Sequence, residues 1–169
     1  LYPQERHLEL VHRLDRDTSG CVMVSKKRSV LKELHSLLQK RHAVDKRYLA
    51  LVAGSWPVRK QQVNVRVQKN VLQSGERMVR AGLEGKPSLT EYRVIERIPG
   101  ATLVEAKPIT GRTHQIRVHC QYAGYPILGD EKYGDDELNR RFRDRGLRRL
   151  FLHAHSLSFE LGGRKISVT

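Results

Sequence analysis

Long apolar runs are what this chain most plainly lacks. No stretch approaches the roughly 20 residues that a membrane-spanning helix needs, so a helical span is not expected. No secretory leader pattern is seen either. Cysteine is scarce, with Cys21 and Cys120 the only two in 169 residues. Both sit among apolar neighbours, a setting that suits small core hydrophobes in a reducing, cytoplasmic compartment better than a disulfide framework. Nothing in the sequence requires a bridge between them. Metal-ligand spacing is missing as well. His114 and His119 are five positions apart and His153 and His155 two. Neither is the i, i+4 pair of a helical zinc site and no Cys pair supports them, so no metal is expected. There are no internal repeats and no low-complexity linkers. One domain over residues 1–169 is expected, large enough to bury a core.

Acidic residues are outnumbered. Asp and Glu total 18 against 32 Lys and Arg, a formal charge of +14, with a pI near 10.2. Such an excess favours a polyanionic partner, nucleic acid first. The basic residues run through segments that otherwise look folded, which argues for a broad basic surface over a charged tail.

What is present reads as an α+β domain dominated by antiparallel sheet, with flanking helices and loops. Strands are expected at 9–14 and 20–26 around a polar loop. A helix follows from Ser29 to Arg41, with Val30, Leu31, Leu34, Leu37 and Leu38 on one face. Asp45 to Gly54 carries apolar residues on both faces, the mark of a central strand. Gln61 to Lys69 alternates as a single half-exposed strand, and Gln73-Ser74-Gly75-Glu76 reads as a hairpin turn into Arg77–Ala81. Thr90–Ile98 and Ala101–Lys107 pair around Pro99-Gly100. A helix runs from His114 to Tyr122 with Gly124 placed as its C-terminal cap. Asp135 or Asp136 caps a short basic helix ended by Gly146. Leu150–Leu161 returns to strand, and Gly162-Gly163 turns towards a last one.

Two clusters stand out as candidates for chemistry. The first is His12-Arg13-Leu14-Asp15-Arg16-Asp17-Thr18-Ser19-Gly20, a polar loop between apolar runs. Taken alone it reads most simply as a turn and cap. The second is Thr110-Gly111-Arg112-Thr113-His114-Gln115-Ile116-Arg117-Val118-His119. On a helix, Ile116, Cys120 and Ala123 share the buried face and His114, Arg117 and Gln121 share another. Its N-terminus beside Arg112 suits phosphate binding, against the plain alternative of a solvated basic face. Tyr48, after Lys46 and Arg47, is either a core residue or a ring on which an unpaired base stacks.

Together these pieces resemble the ordered motifs of RluA-type pseudouridine synthases. His-Arg-Leu-Asp-x-x-Thr-Ser-Gly at 12–20, Lys46-Arg47-Tyr48-Leu49-Ala50-Leu51-Val52-x-Gly54 and Gly111 to His119 carry the likeness. Pro126-Ile127-Leu128-Gly129-Asp130-x-x-Tyr133-Gly134 and Leu150-Phe151-Leu152-His153-Ala154 continue it. Leu72-Gln73-Ser74-Gly75-Glu76-Arg77 resembles the branch that modifies large-subunit ribosomal RNA. The resemblance implies a pseudouridine synthase fold and an isomerase that cleaves the N1–C1′ bond of a uridine in RNA, turns the uracil and rejoins it through C5. It implies no cofactor. Asp15 is the implied catalytic carboxylate, Arg117 its paired arginine and Tyr48 the tyrosine packed on the uracil. Arg13 matches a residue that enters the stack left by the extruded base, and Arg112 and His114 are expected to contact RNA. Asp17 is the other carboxylate of the loop and is expected to be a turn residue.

The Lys-Pro-x-Gly motif and the small S4-type RNA-binding domain that precede this region in relatives are missing. The ends, Leu1 without Met and the strand-like Ile166-Ser167-Val168-Thr169, look cut, so an amino-terminally incomplete catalytic domain is expected, acting as a monomer. The charge alone fits a non-catalytic RNA-binding or ribosome-assembly module equally well. A metal-dependent nuclease would rest on Asp15 and Asp17 alone.

Overall fold

Strand β4 (Val44–Ala53) is the axis of the molecule, and its residues explain why. Side chains alternate across a strand, so Tyr48, Ala50 and Val52 face one side and Leu51 and Ala53 the other. The first set joins a cluster with Val104, Ala106, Ile116, Cys120 and Leu152. The second joins Ala101, Leu128 and Phe142. With apolar side chains on both faces the strand can only sit inside a sheet. It lies between β9 (Ala101–Pro108) and β10 (Leu152–Leu161), antiparallel to both.

The computed structural model describes residues 7–71 and 77–169. Its main sheet runs β11 (Arg164–Val168), β10, β4, β9, β8 (Leu89–Ile98), β5 (Gln62–Asn64), with β2 (Ser19–Gly20) added parallel to β10. Short pairs β1–β3 (Glu9–Leu10 with Val24–Ser25) and β6–β7 (Val67–Val71 with Arg77–Ala81) lie off it. The result is the expected α+β architecture. Among the described residues no helix is long and apolar enough to cross a membrane.

Helix α1 (Arg28–Gln39) buries Leu31 and Leu34 against Val11, Met23 and Leu157. Helix α2 (Gln115–Tyr122) lies on the Ala50–Val52 face of the sheet through Ile116 and Cys120. It ends as its glycine requires. Gly124 takes φ 85, its N–H reaches the Gln121 carbonyl and that of Tyr125 the Cys120 carbonyl, closing the helix with a left-handed residue. Helix α3 (Asp136–Asp144) is capped by Asp135, whose carboxylate accepts the Leu138 N–H at 2.9 Å, and anchors Phe142 on the opposite face.

Two expectations change. Residues 61–69 are not one strand. Val63 pairs into the main sheet and Val67 into the β6–β7 pair, where it packs with Val79, Val118 and Tyr133 over α2. The alternation is the same on both halves, and only the partners differ. The strands flanking the first loop shrink to two residues each, because the polar side chains between them turn towards a cleft instead of pairing. The turn at Gln73–Glu76, with Leu72, lies outside the described residues.

His119 is fully buried. Its Nδ1 lies 2.9 Å from the Thr90 hydroxyl and its Nε2 2.8 Å from that of Ser88. Burial pulls its pKa down to about 4, opposed weakly by the Val65 carbonyl. The unfolded chain therefore takes up this proton near pH 6.5, before the folded one does. Stability should fall as pH drops from 6.5 towards 4, by roughly 3 kcal/mol from this group. Urea midpoints measured across that range should show the slope, and His119→Gln should flatten it.

Candidate active site

The first loop and the start of α2 meet across a cleft of about 510 Å3. Asp15, Tyr48, Arg117, Arg13, Arg112 and His114 all line it. The loop is a tight turn closed by the Thr18 N–H on the Asp15 carbonyl at 3.0 Å. It is seated from below by Gly20, where a Cβ would lie 2.2 Å from the Ala154 carbonyl oxygen, so only glycine lets the loop approach β10 this closely. Ser19 is tied to His153 at 2.9 Å and to Arg149 at 3.0 Å. That gives His153 a supporting role in the loop. Asp17 and Arg16 are exposed and line an adjoining trough, leaving Asp15 as the carboxylate shared by cleft and trough.

Asp15 is 24% exposed, and the Arg117 guanidinium reaches its carboxylate at 3.4 Å. A stronger pair stands behind it. Arg117 donates to both oxygens of Asp130, at 2.8 and 2.9 Å, and Asp130 is 1% exposed. Burial alone would push both groups towards neutrality. Mutual charge and hydrogen bonding outweigh it, so the guanidinium is held above and the Asp130 carboxyl below its ordinary value. The Lys132 and Tyr133 amides add bonds to Asp130 Oδ1 at 2.9 and 3.0 Å. Arg117 also lies over the Tyr133 ring, 5.0 Å from its centroid. The arginine is thus fixed on two sides and aimed at Asp15.

Tyr48 enters the cleft from the inner face of β4. Burial first, then the charge of Asp15, push its phenol up to about 12, so the ring is neutral over the working range. On the same strand Lys46 is pulled down by burial and sits near Gly111. Its charge, after burial, helps lower the pKa of His12, whose Nε2 accepts the Met23 N–H at 3.1 Å.

The α2 N-terminus differs from expectation. Gln115 folds back over it, its Oε1 accepting the Arg112 N–H at 3.0 Å and the Thr110 hydroxyl at 2.7 Å. The Arg112 N–H in the turn before the helix is therefore used by the chain itself, as is the Gln115 N–H, which reaches the Arg112 carbonyl at 3.2 Å. His114 precedes the helix at φ 52, a left-handed conformation that costs a non-glycine residue on the order of 1 kcal/mol or more. It places Nε2 3.7 Å from Asp15 Oδ1. Arg112 stays exposed, with its Nε on the Pro87 carbonyl. Among the described residues no three His, Cys, Asp or Glu side chains gather as a metal centre would need. Asp130 and Tyr133 stood in a quoted motif without a role, because nothing in the sequence shows that a residue 13 positions on from Arg117 closes against it.

The chain matches the family model for RNA pseudouridylate synthases over residues 1–122. It is 56% identical over 160 residues to ribosomal large subunit pseudouridine synthase C of Haemophilus ducreyi, covering 95% of this chain and 50% of that protein. The protein of the same name from Escherichia coli K12 is 56% identical over 161 residues, with 94% and 50% covered. The chain spans about half the length of these curated relatives. Among solved structures it is similar to human RNA pseudouridylate synthase domain containing 1, with a TM-score of 0.79 and 30% identity over 99% of this chain and 70% of that one. Human RNA pseudouridylate synthase domain containing 4 follows at a TM-score of 0.73 and 28% identity, over 95% and 69%.

Proposed function

Since the chain belongs to the RNA pseudouridylate synthase family, we propose that it isomerises uridine to pseudouridine in large-subunit ribosomal RNA, as a cytoplasmic monomer. The observation that carries this reading is Asp15, held in a basic cleft by an arginine that a second, buried aspartate keeps in place. A site that only bound phosphate would gain nothing from a carboxylate there.

The chemistry breaks N1–C1′, forms C5–C1′, places a proton on N1 and removes one from C5. Both routes to glycosidic cleavage, attack of a carboxylate on C1′ or removal of the 2′ proton, need an ionised carboxylate beside the ribose. Asp15 is that group. Arg117 supplies the positive charge against it, and Tyr48 offers a neutral ring on which an extruded uracil packs. Arg13 borders both cleft and trough, where an arginine can fill the gap the base leaves. Arg112 and His114 contact the nucleotides alongside. The decisive test is Asp15→Asn in a tritium-release assay, with binding followed in parallel. Retained turnover would sink the reading in favour of a binding module.

The trough of about 720 Å3 beside the cleft is lined by Arg13, Arg16, Lys132, Arg148 and Arg149, and we read it as a track for the RNA backbone. Each phosphate contact contributes about 0.7–0.9 to the slope of log affinity against log salt. Replacing Arg148 and Arg149 together by Gln should flatten that slope by about 1.5, measured by RNA binding at several salt concentrations. An unchanged slope would remove the trough from the RNA path.

A further inference from the structure

Tyr133 is 2% exposed, and its hydroxyl is accounted for on both sides. The Val79 N–H donates to Oη at 3.0 Å, and His114 Nδ1 lies 2.7 Å away. A buried hydroxyl must also place its own proton. Among the hydrogen bonds of the described residues, His114 Nδ1 is the one acceptor within its reach. The Oη–H therefore points at Nδ1, which must be the unprotonated nitrogen, and the imidazole proton sits on Nε2. That nitrogen is the one 3.7 Å from Asp15 Oδ1. The backbone makes the aim rigid, since His114 is held at φ 52 with its ring edge-on to the Tyr133 ring at 5.5 Å.

We infer that Tyr133 is a positioning residue: it locks His114 in the neutral Nε2–H form, directs that N–H at the Asp15 carboxylate, and seats Arg117 on its ring. This deepens the functional reading above and rests on it for its catalytic consequence. A doubly protonated imidazole would set two hydrogens against each other between Nδ1 and Oη, so the phenol works against the cation. The surrounding charges divide, with Asp15 and Asp130 favouring protonation and Arg117 and Lys132 opposing it. Burial outweighs them, and the net direction is downward from 6.5. The ring nitrogen 3.7 Å from the carboxylate then carries no charge, and Arg117 remains its cationic partner. A fixed N–H also leaves one carboxylate oxygen defined in direction while the other faces the guanidinium.

The test begins with the wild-type chain. Nitrogen-15 NMR of the histidine rings should show His114 protonated on Nε2 and bare on Nδ1 near neutral pH. The Nδ1–H tautomer would overturn the proposal outright. In Tyr133→Phe the acceptor nitrogen loses its partner, so the ring should titrate at higher pH and its tautomers mix. With RNA substrate, kcat should fall on the order of ten- to a hundred-fold with KM nearly unchanged, and the acid limb of the kcat profile should move to higher pH. A fall in kcat with no change in His114 titration would reduce Tyr133 to packing and overturn the proposal. Because the NMR arm needs no turnover, it decides the ring assignment even where the wild-type chain forms no pseudouridine, an outcome that would sink only the functional reading.

Discussion

Asp15→Asn should abolish pseudouridine formation, lowering turnover by roughly ten-thousand-fold or more, as removal of an essential nucleophile or base does. The fold should survive. Asn has the same shape, the Thr18 N–H bonds the backbone carbonyl of residue 15 and not its side chain, and Arg117 keeps its bidentate pair with Asp130. The lost contact, 3.4 Å long to a carboxylate one-quarter exposed, should change stability by no more than about 1 kcal/mol. RNA affinity should hold or rise slightly, since a negative charge leaves a basic cleft. Tritium release, thermal unfolding and a binding titration on the same preparation separate these outcomes. Loss of activity with loss of fold would leave Asp15 a structural residue. Asp17→Asn, on the exposed side of the same turn, should leave turnover within a few-fold.

The second large effect is predicted at Asp130. Its carboxylate is buried against Arg117 and accepts two backbone N–H groups. Truncation by Asp130→Ala leaves a guanidinium and two amides without their acceptor, a loss of about 3–5 kcal/mol. For a chain of this size the melting temperature should drop by roughly 10 °C. Turnover should fall as well, because Arg117 then has only Asp15 to pair with and is no longer held at a fixed distance from it. The double variant Asp130→Ala with Arg117→Met should recover much of the stability and none of the activity, since it removes the stranded charge together with the cation that faces Asp15. A single variant that melts within a degree or two of wild type would show the pair to be dispensable. The pH dependence has a definite sign. Arg117 and the two amides outweigh burial and hold the Asp130 carboxyl below its ordinary value. Its stabilisation is therefore complete above the unfolded carboxylate range and is lost as pH falls through the lower folded value.

Much of the fold was legible because it rests on local rules. Alternation along Val44–Ala53 marked a central strand. The periodic leucines of α1, the Asp135 cap and the glycines at 124 and 146 placed helices to within a few residues. Each of these is a short-range preference of backbone and side chain. The exceptions were the strands beside the first loop, which span only two residues each, and 61–69, where one alternating pattern serves two sheets. Period-two alternation states which face is buried and says nothing of which strand lies alongside.

The amino-acid sequence by itself determined the basic surface, the α+β class and the ordered motifs that place Asp15, Tyr48 and Arg117 in one family pattern. Only the tertiary structure decided how they are held. Arg117 is clamped by Asp130, the turn before α2 is closed by Gln115, and the Tyr133 hydroxyl is set against His114 Nδ1. These partners lie only 3 to 19 positions apart, yet no local rule pairs them, and their strength comes from burial that exists only once the sheet has formed. The first loop shows the division most clearly. Its composition announces a turn and its motif marks Asp15 over Asp17, while the guanidinium that faces Asp15 comes from the helix packed across from it.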